Sequence, residues 1–295
     1  MRVTVFGGAG FLGSHLTDSL SANGHQVTVF DARPNRWLQD CQRQVFGDIR
    51  SPAQLAIALE GADALFNCAA IAHLDESRLK PRETLDINVM GHLAVLEAAE
   101  KASVKHIVYA SSLYAMSACG SFYGLSKRTA EELTEEFARR SGMTFTIVRY
   151  GSLYGERTDE RNPNTVYGLV RQALETGAMR YEGRASDVRE FLHVRDAAAM
   201  SASVITTPEF ANRHLVLTGH ERLRMADLMQ MVQEVIRRDI KIEIAGKDRG
   251  HYQTTPYAYR PAEGKKVVPS THVDLGQGIL SLVHEVSTSL SMAGV

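Results

Sequence analysis

Tyr123 and Lys127 stand four residues apart in the run Phe122-Tyr123-Gly124-Leu125-Ser126-Lys127. Ser111 and Ser112 precede them, closing the apolar run Lys105-His106-Ile107-Val108-Tyr109-Ala110. On a helix, a four-residue step puts a phenol and an ammonium on one face, one turn apart. The ordinary pKa of a phenol is about 10, so bringing it near neutrality takes about 4 kcal/mol. One ammonium about 4 Å away supplies a term of that size at an effective dielectric of about 20. The pair is chemically able to make tyrosine a base. Alone it would be a commonplace of surface helices, and its company gives it weight.

A glycine-rich turn, Gly7-Gly8-Ala9-Gly10-Phe11-Leu12-Gly13, follows the first apolar run and opens a helix-length segment. In that setting glycines let backbone approach a pyrophosphate, and the helix N-terminus offers free N–H donors to it. The backbone at Gly7, Gly10, Phe11, Leu12 and Gly13 is therefore expected to hold a dinucleotide. Asp31 lies 18 residues after Gly13, near the roughly 20-residue step at which an acid meets the adenosine ribose. A carboxylate there favours NAD over NADP, although Arg33 and Arg36 could hold a 2′-phosphate. Asp48 and Ile49, after the third short strand, are placed to border the adenine. An oxidised nicotinamide would add a second positive charge beside Tyr123.

The elements that must position these residues alternate. Strands are expected at Arg2–Phe6, Gln26–Phe30, Ala64–Cys68, His106–Ser111 and Thr144–Arg149, with a weaker one at Gln44–Phe46. Helices are expected near 11–23, 52–60, 83–102 and 122–141. This pattern predicts an α/β fold, a Rossmann-type doubly wound parallel sheet. Residues 1–160 form the expected NAD-binding domain and 161–295 a smaller C-terminal substrate-binding lobe, of which about 188–218 returns to the first domain. Later elements are a helix near 165–176, strands at Glu190–Val194 and His214–Leu217, and a helix near 225–238. His193 is expected to be a satisfied core histidine. The charges along Glu131–Arg140 pair at four-residue steps and read as a solvated helix face.

With 33 basic and 34 acidic residues among 295, nothing points to nucleic acid or an anionic membrane. Cys41, Cys68 and Cys119 have no metal-binding spacing and read as reduced thiols. No stretch approaches transmembrane length, and the glycines after Val3-Thr4-Val5-Phe6 leave no secretory leader. A soluble cytoplasmic protein without a metal is expected.

The chain resembles an extended short-chain dehydrogenase/reductase of the NAD-dependent epimerase/dehydratase family, acting on nucleotide sugars. Besides the motifs above, the resemblance rests on Gly47-Asp48-Ile49-Arg50, Asn67-Cys68-Ala69-Ala70, Asn88-Val89-Met90-Gly91, Ala110-Ser111-Ser112, Arg149-Tyr150 and Arg189-Glu190-Phe191-Leu192-His193-Val194. It implies Tyr123 as acid/base, Lys127 as the residue that lowers its pKa and binds the nicotinamide ribose, and Ser112, aligned over Ser111, as hydrogen-bond partner of the reacting oxygen. It also implies Ala69, Ala70, Asn88 and Tyr150 along the cofactor, Ser111 and Ser152 near the sugar, Arg189 and Arg260 on the diphosphate, and a homodimer through the helices near 83–102 and 122–141.

The departures narrow the chemistry. Leu113 and Tyr114 stand where sugar dehydratases of the family carry Asp-Glu, which disfavours dehydration. Tyr114 also replaces the cysteine of the epimerase-reductases, and Cys119 is out of register. Only ten residues separate Ser112 from Tyr123, a short loop, and Ser152 replaces an asparagine. The expected activity is epimerisation of a nucleotide sugar, most simply at C4. The alternatives are a dehydrogenase or ketoreductase on a modified sugar or other small carbonyl compound, and a dinucleotide-binding regulator without chemistry.

Overall fold

The structure is a computed structural model that describes residues 1–117, 120–158, 163–220, 222–247, 264–269 and 272–293. The first half alternates: β1 (Arg2–Phe6), α1 (Phe11–Ala22), β2 (Gln26–Asp31), β3 (Gln42–Phe46), α2 (Pro52–Leu59), β4 (Ala64–Asn67), α3 (Leu74–Leu79), α4 (Pro81–Leu85), α5 (His92–Lys101), β5 (His106–Ser112), α6 (Ser121–Ser141) and β6 (Thr144–Tyr150). Then come β7 (Ser152–Tyr154), α7 (Thr165–Thr176), β8 (Ala178–Tyr181), β9 (Val188–Arg189), β10 (Phe191–His193), α8 (Val194–Val204), β11 (Arg213–Leu217), β12 (Leu223–Arg224), α9 (Met225–Ile236), β13 (Lys241–Ile244), β14 (Lys265–Val267) and α10 (Leu275–Ala293).

Eight strands form one parallel sheet in the order β14-β11-β6-β5-β4-β1-β2-β3. Its central strands are apolar on both faces, as a sheet covered by helices on each side requires. On one face Val3, Val5 and Val29 pack with Leu16 and Leu20 of α1 and Ala198 of α8. On the other, Phe6, Phe30 and Leu65 pack with Leu55 of α2, Val95 of α5 and Phe137 of α6. Chain order reverses between β1 and β4. That places a crevice at the carboxyl ends of the strands, where open α/β sheets bind ligands. A separate core joins α7, α9 and α10 through Val170, Leu228, Met229, Val232 and Leu282. β14 lies at the outer edge of the main sheet, beyond the 188–218 segment expected to return to it.

Two expected elements are built differently. The single helix near 83–102 is interrupted: α4 passes through a π turn over Asp86–Gly91 before α5 begins. Gly91 sits there because a Cβ would press to 2.7 Å from Cγ2 of Ile49. The strand expected at Glu190–Val194 is shorter: Phe191–His193 pair with β7, Val194 begins α8, and Arg189 before it pairs with β12. His193 is buried at the end of β10, where Nδ1 accepts from the Arg195 N–H and caps α8.

Arg157, in the left-handed region at φ 63°, ties three parts together. Its N–H donates to Glu285 of α10 at 2.9 Å, and its guanidinium reaches the Ser14 carbonyl (3.2 Å) and Asp18 (2.8 Å) of α1. The same guanidinium lies 5.3 Å from the ring centre of Trp37, in the segment after β2.

Candidate active site

Of the expected cofactor residues, the glycine turn, Asp31, Asp48, Ile49, Ala69 and Ala70 lie at the carboxyl ends of β1 to β4. Gly7 has φ +74°, and a Cβ there would stand 2.6 Å from the Ala69 nitrogen, so only glycine lets the first turn touch the loop after β4. A Cβ on Gly13 would collide with the Gly7 carbonyl oxygen. This is a cradle with its side chains removed, closed against the first turn of α1. Asp31, ending β2, accepts from the Ala9 N–H at 3.0 Å through one oxygen and from the Arg33 N–H at 3.0 Å through the other. The carboxylate thus lies against the glycine turn, and its neighbour Arg33 comes within 3.9 Å. These residues fit a dinucleotide: bare backbone for the pyrophosphate and an acid for a ribose. Asp48 is held by Arg50, whose guanidinium lowers its pKa, and Ile49 is buried under Gly91.

Tyr123 and Lys127 lie on α6 facing the end of β5, and both are buried. Lys127 Nζ donates to the Ala110 carbonyl at 2.7 Å and stands 5.9 Å from the centre of the Tyr123 ring. An ammonium this near favours the phenolate form of the ring. Burial lowers the Lys127 pKa to about 8, so the charge is available at neutral pH but not well above it. Burial also pushes the neighbouring Cys68 thiol up to about 12, leaving it unionised.

The short loop after β5 is fixed by glycine. Ser112 Oγ accepts from the Tyr114 N–H at 3.2 Å and caps a 3₁₀ turn, Leu113–Met116. Cβ atoms on Gly120 and Gly124 would come within 2.7 Å and 2.6 Å of the Tyr114 carbonyl oxygen. The Tyr114 ring meets Tyr123 edge-on, with centroids 6.2 Å apart. Tyr114 therefore stands directly beside Tyr123.

Three expected contact residues spend polar groups inside the protein. Ser111 faces the opposite side of β5 from Ser112, and its hydroxyl donates to Glu131, which a bidentate Arg149 holds at 2.6 and 2.9 Å. Asn88 clamps the backbone of Ile71, accepting from its N–H at 2.8 Å and donating to its carbonyl at 3.0 Å, and donates to Ser126 at 2.9 Å. It therefore fixes the loop that carries Ala69 and Ala70 against the Tyr123 helix. The Tyr150 phenol bonds Ser201 at 2.6 Å beneath α8. Ser152 of β7 pairs in register with Phe191, and Arg189 is buried, its Nη1 donating to the Val188 carbonyl at 2.9 Å. Arg260 lies outside the described residues.

Asn67, His92, Thr134 and the Glu131–Arg149 pair were not expected. Their signal was a polar residue inside an apolar run, as in Ala64-Leu65-Phe66-Asn67-Cys68, where burial demands a partner. Among the described residues, no group of three His, Cys, Asp or Glu side chains could hold a metal, and no helix is long and apolar enough to cross a membrane.

Known proteins share this architecture. UDP-glucose 4-epimerase of Thermotoga maritima, solved with UDP-glucose, superposes with a TM-score of 0.85 at 23% identity, covering 98% of this chain and 100% of that one. The NAD complex of UDP-glucose 4-epimerase from Thermus thermophilus gives 0.81 at 22% identity, covering 97% and 99%. At such identities the likeness is one of fold. In sequence, UDP-glucuronic acid decarboxylase 4 of Arabidopsis thaliana is 28% identical over 88% of this chain, which spans 62% of that longer relative. A putative UDP-glucose 4-epimerase of Methanocaldococcus jannaschii is 29% identical over 66% of this chain and 70% of its own length. The model of the NAD dependent epimerase/dehydratase family matches residues 3–217, from the first strand through β11, and the chain belongs to that family.

Proposed function

We propose that this protein is an NAD-dependent nucleotide-sugar epimerase that inverts C4 through a transient 4-keto sugar. The observation that carries the proposal is the pairing of Tyr123 with Lys127 beside Ser112, in a site whose next two residues are Leu113 and Tyr114. Such a site has one base and no acid pair for eliminating water. Bound NAD would accept the C4 hydride and return it to the other face of the ring. Tyr123, ionised with the help of Lys127, takes the C4 hydroxyl proton and gives it back when the alcohol re-forms. Ser112 hydrogen-bonds the oxygen while it is a carbonyl. Arg189, with Arg260, would hold the diphosphate in a bidentate grip. Leaving the diphosphate fixed while the keto sugar turns presents both faces to one hydride site.

The cradle around Gly7 and Gly13 and the carboxylate of Asp31 support NAD as the cofactor, as does the presence of NAD in a structural neighbour. The exposed apolar side chains of Met90, Phe122 and Leu125, on the π turn and the first turns of α6, support a homodimer through those helices.

The test is a product screen of the purified chain with NAD against UDP-, GDP-, CDP- and dTDP-sugars, read by NMR and mass. An isobaric isomer formed without net NADH, and lost in Tyr123→Phe, is the expected result. A product two mass units away with matching NADH would establish the dehydrogenase or ketoreductase, which the short loop and Ser152 favour. Loss of carbon dioxide from UDP-glucuronate would assign a decarboxylation, the activity named for the Arabidopsis thaliana relative.

A further inference from the structure

His92, at the start of α5, is buried between β4 and α6. Its Nδ1 lies 2.8 Å from Nδ2 of Asn67, and its Nε2 lies 2.8 Å from Oγ1 of Thr134. The proton positions along this chain follow from its anchored end. The Ala69 N–H can only donate, and its acceptor is Oδ1 of Asn67 at 3.1 Å. That fixes the amide orientation and turns Nδ2, a donor, toward the ring. Nδ1 must then accept, and the single N–H of a neutral imidazole falls on Nε2. Nε2 donates to Thr134 Oγ1, whose own hydrogen goes to the Ala130 carbonyl at 2.8 Å. Donation therefore runs without a break from the loop at Ala69 to the middle of α6.

A second proton on Nδ1 would set N–H against N–H. Burial acts in the same direction, lowering the His92 pKa to about 3, and the Lys127 charge adds to it. The His92 ring packs on Tyr109 with centroids 4.4 Å apart, and Lys127 Nζ stands 4.8 Å from the centre of that same ring. The titratable groups facing Lys127 are Cys68 after β4, Tyr109 of β5, and Tyr123 and Glu131 of α6.

We infer that His92, locked as the Nε2–H tautomer by Asn67 and Thr134, is a positioning residue that ties the Ala69 loop to α6 and adds no second positive charge beside Lys127. The inference rests on Tyr123 and Lys127 being the reacting pair. A charged ring at this place would oppose the ammonium on which the phenolate depends. A slack connection would let α6 shift relative to the loop expected to border the nicotinamide.

The first test is nitrogen-15 NMR of the histidine side chains of the full-length protein from about pH 5 to 8, with His92 assigned by its loss in His92→Gln. The expected spectrum shows a bare Nδ1, a protonated Nε2 and no titration. An Nδ1–H tautomer, or titration near pH 6.5, overturns the inference. The second follows Tyr123 ionisation by ultraviolet difference absorbance, as the signal absent from Tyr123→Phe. Thr134→Val, which cannot accept from Nε2, is expected to move that ionisation upward by about half a pH unit, and Thr134→Ser to restore it. In the turnover assay Thr134→Val lowers kcat about tenfold with KM for the sugar nucleotide unchanged. A lowered Tm with unmoved phenol ionisation would make the chain merely structural and overturn the inference. Absence of turnover in the wild type would instead overturn the epimerase assignment, and the two spectroscopic readouts would still decide the role of His92.

Discussion

Lys127 and Glu131 occupy successive turns of α6, both buried, and their charges are handled in opposite ways. Glu131 is met by the Arg149 guanidinium along both oxygens and receives the Ser111 hydroxyl as well. Lys127, four residues earlier, bonds the carbonyl of Ala110, and among the described residues no carboxylate lies within ion-pair distance. A neutralised pair projects little field and ties α6 to β6. An ammonium without a counter-ion costs the fold energy, visible as its lowered pKa, and projects its charge onto the groups around it, Tyr109 and Tyr123 among them. One site ties elements together, and the other carries the charge that the proposed chemistry requires. The comparison teaches that burial alone does not mark a reacting residue; a buried charge left without an opposite charge does.

Removing the base breaks the chemical half most severely. Tyr123→Phe is expected to lower kcat about 10³-fold, about 4 kcal/mol, with NAD binding and Tm kept, measured by initial rates and thermal melts. The structural half gives way next. Glu131→Gln leaves Arg149 buried and unpaired and is expected to cost about 3 kcal/mol, whereas Glu131→Gln with Arg149→Met recovers most of it; urea unfolding of the single and double variants checks this. Equal losses in both would show that the pair is not a unit.

Lys127→Met is expected to lower kcat about 10²-fold and to change the pH profile. In the wild type kcat falls as pH rises through about 8, where Lys127 loses its proton; the variant lacks that limb. Because the folded-state pKa lies below the unfolded value, the unfolded chain binds more protons between about pH 8 and 10.5. The cost of the buried charge is therefore full below pH 8 and fades across that window, so stability at this position rises with pH there. Melts of wild type and variant over the window read the difference. The smallest effect is at the cofactor's far end: Asp31→Asn weakens NAD about tenfold and narrows the preference over NADP, as titration calorimetry would show.

The large elements were legible because their causes are local. Alternation of β-branched runs with amphipathic segments defines the sheet, and Gly7 and Gly13 announce a close approach by lacking side chains. Tyr123 and Lys127 could be read from a four-residue step. What escaped depends on partners far along the chain. Asn88 looks like a cofactor contact until Ile71 and Ser126 are seen to use its amide, and Ser111 looks equivalent to Ser112 until strand alternation turns it toward Glu131. The π turn at Asp86–Gly91 leaves no trace in the apolar pattern. Glu190 separates β9 from β10, and its carboxylate is claimed by Thr218, just after β11, and by Lys266 of the edge strand β14.

The Arg157 junction gives the molecule an optical gauge of its own. Trp37 is the single tryptophan in the sequence, and it lies against a guanidinium whose backbone is held by α10 and whose other contacts are on the helix that begins at the glycine turn. Its ultraviolet emission is therefore a one-residue signal, free of overlap from other indoles. Any loosening of α10 from α1 changes the cation above that ring and with it the colour and lifetime of the light. Movement of α10 against α1 can be timed by this signal in unlabelled protein, in a stopped-flow cell, at the given sequence.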